Sequence, residues 1–387
     1  MKLHLMKRCL TLAVKARGQT SPNPMVGALL YKDGKVLAED YHKKAGTPHA
    51  EALVLEQAGQ EARDATLFVT LEPCCHKDKR TPPCTDAIIR AGVREVVIAM
   101  QDPNPAVAGK GIEALNNAGI TTQLGIMQEK AMRLNEAYIK YITTRTPFVI
   151  LKVAMTLDGK IATPDGKSKW ITCEASRRVV HQVRASVDAV LSAVGTVKAD
   201  NPGFKSTIRG GRSPMRVIID PALDIPEDFN VLKTPPETIL VTKKCDTYID
   251  QLAPYGQTDQ PAPYGQTDQP APYGQTDQLA PYSRWDALKY IYYDGELDLQ
   301  WLMRELGKTG VTSVMVEGGA SLTGYAIEAG IVDKVMFFIA PKIVGGKGSL
   351  SPVASKTFRS VNEAYGIVDM TVRKIGCDIL IEGYIGQ

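Results

Sequence analysis

The sequence predicts a two-domain α/β protein, and three observations carry that expectation. At 387 residues the chain exceeds what one ordinary hydrophobic core accommodates. Strand-like and helix-like segments alternate through both halves. A polar stretch, Thr143-Thr144-Arg145-Thr146 before Pro147, reads as a linker and divides residues 1–145 from 146–387.

In the first half, residues 2–17 read as a helix stopped by Gly18, and Ser21-Pro22-Asn23-Pro24 as a turn. Asp33-Gly34 between the apolar runs 26–31 and 35–39 is a hairpin signal. A helix over 49–58 and a strand over 66–71 follow. Next come a helix over 84–91 opened by Pro82-Pro83 and closed by Gly92, a strand over 95–100, and a helix over 110–118 ended by Gly119. The second half opens on a nearly continuous apolar run, 148–154, which suits a buried strand. Further strands are expected at 189–191, 216–219, 238–241, 313–316 and 335–339, and helices at 174–185, 298–306 and 321–328. Residues 251–286 interrupt this pattern with four tandem nonapeptides. Their Pro, Gly, Gln and Thr content cannot build a core, so they read as a surface insertion grown by duplication.

Composition narrows the function classes. A formal net charge of +4 and 6% aromatics give no basic, aromatic-rich surface for nucleic acid. Seven cysteines, an odd number, argue for a reducing compartment, and residues 1–9 lack the apolar core of a signal peptide. No run reaches the length of a membrane span. A cytoplasmic protein with no membrane partner is expected.

The most informative cluster is His49-Ala50-Glu51, then Glu72-Pro73-Cys74, then Pro83-Cys84. One imidazole and two thiolates can hold Zn²⁺ with a fourth position left for water. A carboxylate two residues after the His then has the task of a proton shuttle, as in zinc deaminases. A closed structural zinc knuckle would need a fourth ligand, for which Cys75 or His76 is available, and would leave Glu51 without a task. Lys77, Lys79 and Arg80 between the thiols suit a substrate bearing a phosphate. In the second half, Glu317-Gly318-Gly319-Ala320-Ser321 falls between a strand and a helix, where backbone N–H groups can cradle a phosphate. Arg177, His181 and Arg184 fall on one helix face, a basic stripe suited to a sugar phosphate.

Several phrases together resemble the bifunctional deaminase/reductase family of riboflavin biosynthesis. They are Pro22-Asn23-Pro24-Met25-Val26-Gly27, Pro48-His49-Ala50-Glu51, Thr70-Leu71-Glu72-Pro73-Cys74, Arg80-Thr81-Pro82-Pro83-Cys84 and Asp102-Pro103-Asn104-Pro105 in the first half. In the second they are Lys152-Val153-Ala154-Met155-Thr156-Leu157-Asp158-Gly159, Trp170-Ile171-Thr172, Gly195-Thr196-Val197, Asp200-Asn201-Pro202 and Val316-Glu317-Gly318-Gly319. The resemblance implies a cytidine-deaminase-like α/β/α zinc domain followed by a dihydrofolate-reductase-like α/β domain. It further implies deamination of a diaminopyrimidine ribotide, then NADPH-dependent reduction of its ribosyl chain to ribityl, in a dimer or tetramer.

Residue by residue, it makes His49, Cys74 and Cys84 zinc ligands, with Cys75 the alternative to Cys74, and Glu51 the catalytic shuttle. Asn23 and His42 would line the pyrimidine pocket, and Arg80, Asp102 and Asn104 the ribose phosphate. Ala154, Trp170 and Thr196 would face the cofactor, with Gly318, Gly319, Ala320 and Ser321 in the phosphate cradle. Ser168, Arg184, Asp200 and Glu317 would face the substrate, Asp200 or Glu317 serving as acid. Two departures stand out. Ala193 replaces an expected Gly, and the altered segment 204–209 leaves Arg209 or Lys205 for the phosphate. Two other classes compete: a nucleic-acid or nucleoside deaminase with a C-terminal binding module, and a zinc-stabilised scaffold displaying the repeats.

Overall fold

A computed structural model of the protein describes residues 1–75, 82–105, 107–244, 288–357 and 359–386. The described residues form two compact units, one over Met1–Arg145 and one opening at Thr146. The repeats at 251–286 lie outside the described residues, as do Lys77, Lys79 and Arg80.

The first unit is a five-stranded sheet in the order β2-β1-β3-β4-β5, with β1 Gly27–Lys32, β2 Lys35–Tyr41, β3 Thr66–Val69, β4 Glu95–Ile98 and β5 Thr121–Leu124. β1 pairs antiparallel with β2 and β3, and β3, β4 and β5 run parallel. The β1–β2 turn uses Asp33 and Gly34, both at positive φ, which matches the twist of a tight hairpin. Helix Lys2–Val14 ends three residues short of the expected stop, in a run of turns reaching Gly18. It lies directly on β1, since a Cβ at Gly27 would sit 2.1 Å from the Cys9 carbonyl oxygen. Helices Ala50–Ala58, Cys84–Ala91 and Lys110–Asn117 occupy the anticipated positions. Strand β5 and the helices Gln128–Leu134 and Glu136–Thr144 were not anticipated. Thr121-Thr122-Gln123 carries no apolar alternation, and the last of these helices runs into the stretch read as a linker.

The second unit is a nine-stranded sheet in the order β10-β9-β8-β7-β11-β6-β12-β14-β13. Its strands are β6 Phe148–Thr156, β7 Ala189–Ala193, β8 Met215–Ile219, β9 Thr238–Lys243, β10 Leu288–Tyr293, β11 Ser313–Val316, β12 Lys334–Ala340, β13 Ile367–Ile375 and β14 Asp378–Ile385. Seven neighbouring strands are parallel, and β14 and β13 close one edge antiparallel. The central strands carry Val149, Leu151, Val190, Leu191, Val314 and Val316, all fully buried, which is why they read as unbroken apolar runs. Helix Val194–Asp200, β10 and the β13–β14 hairpin were not anticipated. Every residue of β13 from Ile367 to Lys374 is exposed, so burial imposes no apolar pattern on it. Among the described residues no helix is long and apolar enough to cross a membrane.

Candidate active sites

In the first unit, the loop after β3 and the starts of two helices bring three donors together. His49 is the N-cap residue of helix Ala50–Ala58, and Cys84 is the first residue of helix Cys84–Ala91. Cys74 lies in the loop after β3, its carbonyl accepting from the Thr85 N–H at 3.2 Å. His49 Nδ1 stands 3.2 Å from Cys84 Sγ and 3.6 Å from Cys74 Sγ. All three donor atoms fall within 4.8 Å of one another, and Cys75 is outside the group. The hydrogen bond from the Cys84 thiol, assisted by His49 and opposed by burial, lowers Cys74. That bond and burial push Cys84 upward. Thiolate character favoured at Cys74 suits a bound cation. With one imidazole and two soft sulfurs, the donor set fits zinc.

Glu51 sits in the first turn of the His49 helix and is 4% exposed. Burial raises its pKa, with the neighbouring His49 charge opposing, so the carboxylate is poised to take a proton. His42 packs edge-on against His49, ring centroids 5.4 Å apart. Its Nδ1 lies 3.2 Å from the Pro48 carbonyl and its Nε2 3.3 Å from Asn23 Nδ2. Those partners assign the proton to Nδ1, which donates to Pro48 while Nε2 accepts from the Asn23 amide. Asn23 and His42 therefore form one wall beside the metal ligands.

Two positioning residues here escaped the sequence reading. Glu72, 2% exposed, accepts backbone N–H bonds from Asp102 (3.1 Å), Gly109 (3.0 Å), Gly111 (2.9 Å) and Ile112 (3.2 Å). It ties the residue next to Pro73-Cys74 to the loop carrying Asp102 and Asn104, and it caps helix Lys110–Asn117. Asn135 holds the Pro24-Met25 segment through both backbone atoms of Met25, at 2.8 and 3.0 Å. Asp102 Oδ1 accepts from the Asn104 N–H and the Tyr138 hydroxyl, each at 2.9 Å, so this carboxylate shapes its own loop. A Cβ at Gly111 would lie 2.2 Å from the Pro73 carbonyl oxygen. Gly111→Ala is therefore expected to cost about 1–3 kcal/mol by overpacking and to loosen the Cys74 loop. Thermal unfolding and zinc content together check this, and wild-type values for both would refute it.

In the second unit the residues of interest gather at the C-terminal ends of β6, β7 and β11, where open α/β sheets bind ligands. Glu317, just after β11, is 7% exposed and takes Arg184 bidentately at 2.7 and 2.8 Å. Lys152 on β6 approaches the same carboxylate at 3.6 Å, a neighbour the sequence did not disclose. Burial works to raise the Glu317 pKa, but the Arg184 and Lys152 charges overcome it and hold the group down at about 2. Glu317 is thus held as a carboxylate, the counter-ion that fixes Arg184.

The depressed value makes a stability prediction. The pairing is fully present above the ordinary carboxylate value of 4.5 and is lost as pH falls through about 2. A shift of that size corresponds to roughly 3 kcal/mol. Urea midpoints of the wild type and Glu317→Gln should therefore converge across that window. A gap that stays constant on acidification would count against the pairing.

The remaining residues form two smaller groups. Thr196 Oγ1 accepts the Gly319 N–H at 3.0 Å, joining the helix after β7 to the start of helix Ala320–Glu328. Gly319, with no side chain of its own, is the N-cap of that helix, and its first-turn N–H groups carry the partial positive charge that suits an anion. At Gly318 a Cβ would meet Leu322 at 2.7 Å. Asp200 accepts from the Ser168 hydroxyl at 3.2 Å and pairs with Lys169 at 3.5 Å. Trp170 is 66% exposed, with the Arg177 guanidinium 4.7 Å from its ring centroid, and so presents a flat face to solvent. Ala154 lies on β6 in register with Phe338. Ala193 has φ −129° and ψ 156°, extended backbone open to any residue, so replacing Gly there costs nothing in backbone terms.

The basic stripe is drawn inward rather than solvated. Arg177 donates to the Thr172 carbonyl at 2.6 Å, while His181 Nδ1 (3.1 Å) and Arg184 (3.4 Å) reach the Lys205 carbonyl. Lys205 thus meets this face through its backbone. Arg209 is exposed, and among the described residues no hydrogen bond or ion pair joins it to the group.

Two family models match the chain. The family model described as the RibD C-terminal domain matches residues 147–381, and the cytidine and deoxycytidylate deaminase zinc-binding region matches residues 1–100. The riboflavin biosynthesis protein RibD of Aquifex aeolicus is 40% identical, over 97% of this chain and 96% of its own length. Its Escherichia coli counterpart is 37% identical over 88% of each. Among solved structures, Acinetobacter baumannii RibD superposes with a TM-score of 0.82 at 32% identity, covering 100% of this chain and 99% of that one. A diaminohydroxyphosphoribosylaminopyrimidine deaminase/5-amino-6-(5-phosphoribosylamino)uracil reductase from Thermotoga maritima gives 0.82 at 33% identity, with the same coverage.

Proposed function

This chain belongs to the RibD family and is a bifunctional deaminase/reductase of riboflavin biosynthesis, and we propose how its residues divide the two reactions. The substrate of the first is 2,5-diamino-6-(5-phosphoribosylamino)pyrimidin-4(3H)-one, converted to 5-amino-6-(5-phosphoribosylamino)uracil. The second reduces the ribosyl chain of that product to ribityl. The observation that carries the reading is the convergence of His49 Nδ1, Cys74 Sγ and Cys84 Sγ beside a buried, proton-seeking Glu51.

His49, Cys74 and Cys84 are the zinc ligands. Zinc, when bound, supplies the Lewis acidity that makes water nucleophilic near neutral pH. Glu51, buried beside these ligands, would carry the proton from the attacking water to the ring nitrogen and then to the departing amine. Asn23 and His42 hold the pyrimidine against the zinc ligands through a bonded pair whose orientation Pro48 fixes. Asp102 and Asn104 shape the wall on the ribotide side, and Arg80, outside the described residues, is the cation we assign to the ribotide phosphate.

In the reductase, NADPH is the cofactor and supplies hydride. Thr196 and the Gly318–Ser321 turn would hold its phosphate, and Trp170 and Ala154 would line its ring. Their fit rests on the glycine-led helix start and the exposed indole. Arg184, locked by Glu317, faces the substrate phosphate with a fixed guanidinium, which lowers the ordering cost of binding. Asp200, held by Ser168 and Lys169, is the carboxylate placed to assist ring opening. The protein works in the cytoplasm as a dimer or tetramer. The exposed Ile367, Val368, Met370 and Val372 on edge strand β13 support self-association.

Mass spectrometry of the diaminopyrimidine ribotide after incubation with zinc-loaded protein tests the reading. Exchange of one amino group for oxygen without NADPH, and gain of two hydrogens when NADPH is added, are the expected results. An unchanged substrate with zinc bound would overturn the assignment of residues and substrate together.

A further inference from the structure

We propose that Cys173 and Cys377 form a peroxide-responsive dithiol in the reductase unit, closing to a disulfide that ties the start of helix Glu174–Ser186 to the β13–β14 turn. Neither thiol takes part in the zinc cluster or in the chemistry above. Cys173 is the N-cap residue of the helix, and Cys377 lies in the turn between the last two strands. The two sulfurs and the Asp378 carboxylate fall within 4.8 Å of one another. Gly376, at φ +61°, brings the turn so close that a Cβ there would lie 2.9 Å from Cys173 Sγ.

One buried carboxylate organises the pair. Asp378, 1% exposed, accepts the Cys173 N–H at 2.8 Å and the Ser176 hydroxyl at 2.6 Å through Oδ2. Its Oδ1 takes the Cys377 thiol at 3.5 Å. One carboxylate therefore holds the Cys173 backbone and the Cys377 thiol side by side before any bond forms. Cys173 is half-buried and Cys377 exposed, so a small oxidant can reach them. Burial works to raise the Cys173 pKa, but the Ser176 amide and hydroxyl outweigh it and lower the thiol, as helix starts commonly do. Cys377 is raised, chiefly by its hydrogen bond to Cys173. The pair thus presents a nucleophilic sulfur and a proton-bearing partner.

The oxidant is a hydroperoxide. Cys173 thiolate attacks the peroxide O–O bond, giving a sulfenic acid and hydroxide. Cys377 sulfur then attacks that sulfenic sulfur, the S–S bond forms, and the S–OH oxygen leaves as water. In sum, two thiols and one hydrogen peroxide give one disulfide and two waters, and a dithiol reductant reverses it. The helix that would be tied begins beside Thr172, whose carbonyl accepts from Arg177, and Arg177 stacks on Trp170. Closure should therefore slow reduction several-fold and leave deamination unchanged.

The test treats zinc-loaded, full-length protein with a few equivalents of hydrogen peroxide. Free thiols are then alkylated and peptides mapped without reduction. A peptide pair linking Cys173 to Cys377 is expected, absent in Cys173→Ser and Cys377→Ser and removed by dithiothreitol. Serine caps a helix as well as cysteine does, and Cys377→Ser should reduce substrate normally while resisting peroxide. Both thiols alkylated after treatment, or protected beforehand by a bound metal, would overturn the proposal. So would a disulfide that forms without slowing reduction.

Discussion

Glu51→Gln is expected to abolish deamination, by about 10²–10⁴-fold, while zinc stays bound and reduction of supplied deaminated substrate continues. Gln fills the same space in a position 4% exposed, so packing is preserved and only the ability to carry a proton is lost. Burial raises the wild-type carboxylate, and the ionised form is the one that accepts the proton. Deamination should accordingly fall as pH drops through a value above the ordinary carboxylate range. The residual activity of Glu51→Gln should lack that acid limb. Stopped deamination with zinc content measured in parallel separates this from loss of the metal. A variant that still deaminates at the wild-type rate would remove Glu51 from the mechanism.

The parts of the site legible in the sequence are those whose partners are close along the chain. His49 and Glu51 share one helix start, and Pro82-Pro83 announce the helix that Cys84 opens. Helix periods and apolar strands marked most of the sheet order's members for the same reason. What remained hidden depends on distant segments. Nothing local marks Glu72 as the acceptor for four N–H groups from residues 102–112. Nor could spacing show that Lys152 and Arg184, on different elements, share Glu317. That pairing gives Glu317 a counter-ion's place beside Arg184 that no local sequence feature announces. The antiparallel hairpin at the sheet edge stayed hidden because its outer strand faces solvent along its length.

Cys74 follows Glu72-Pro73, which favours it as the ligand, but its neighbour Cys75 stays open in the sequence, and the geometry favours Cys74. Cys74 is 8% exposed and aims its sulfur at His49, whereas Cys75 is half-exposed and lies outside the donor cluster. Burial also raises the Cys75 thiol, with the Glu72 charge adding to it, so that sulfur stays protonated near neutral pH. Cys74→Ser should therefore purify with little zinc and no deaminase activity, because a hydroxyl replaces one of only two sulfur donors. Cys75→Ser should keep one zinc per chain and near-normal deamination. Because metal binding contributes to folding stability, chelation should lower the thermal midpoint of wild type and Cys75→Ser, and barely move that of Cys74→Ser. Metal analysis of the two purified variants decides the matter directly. Zinc lost from Cys75→Ser and retained by Cys74→Ser would reverse the assignment and require the loop after β3 to turn its other sulfur inward.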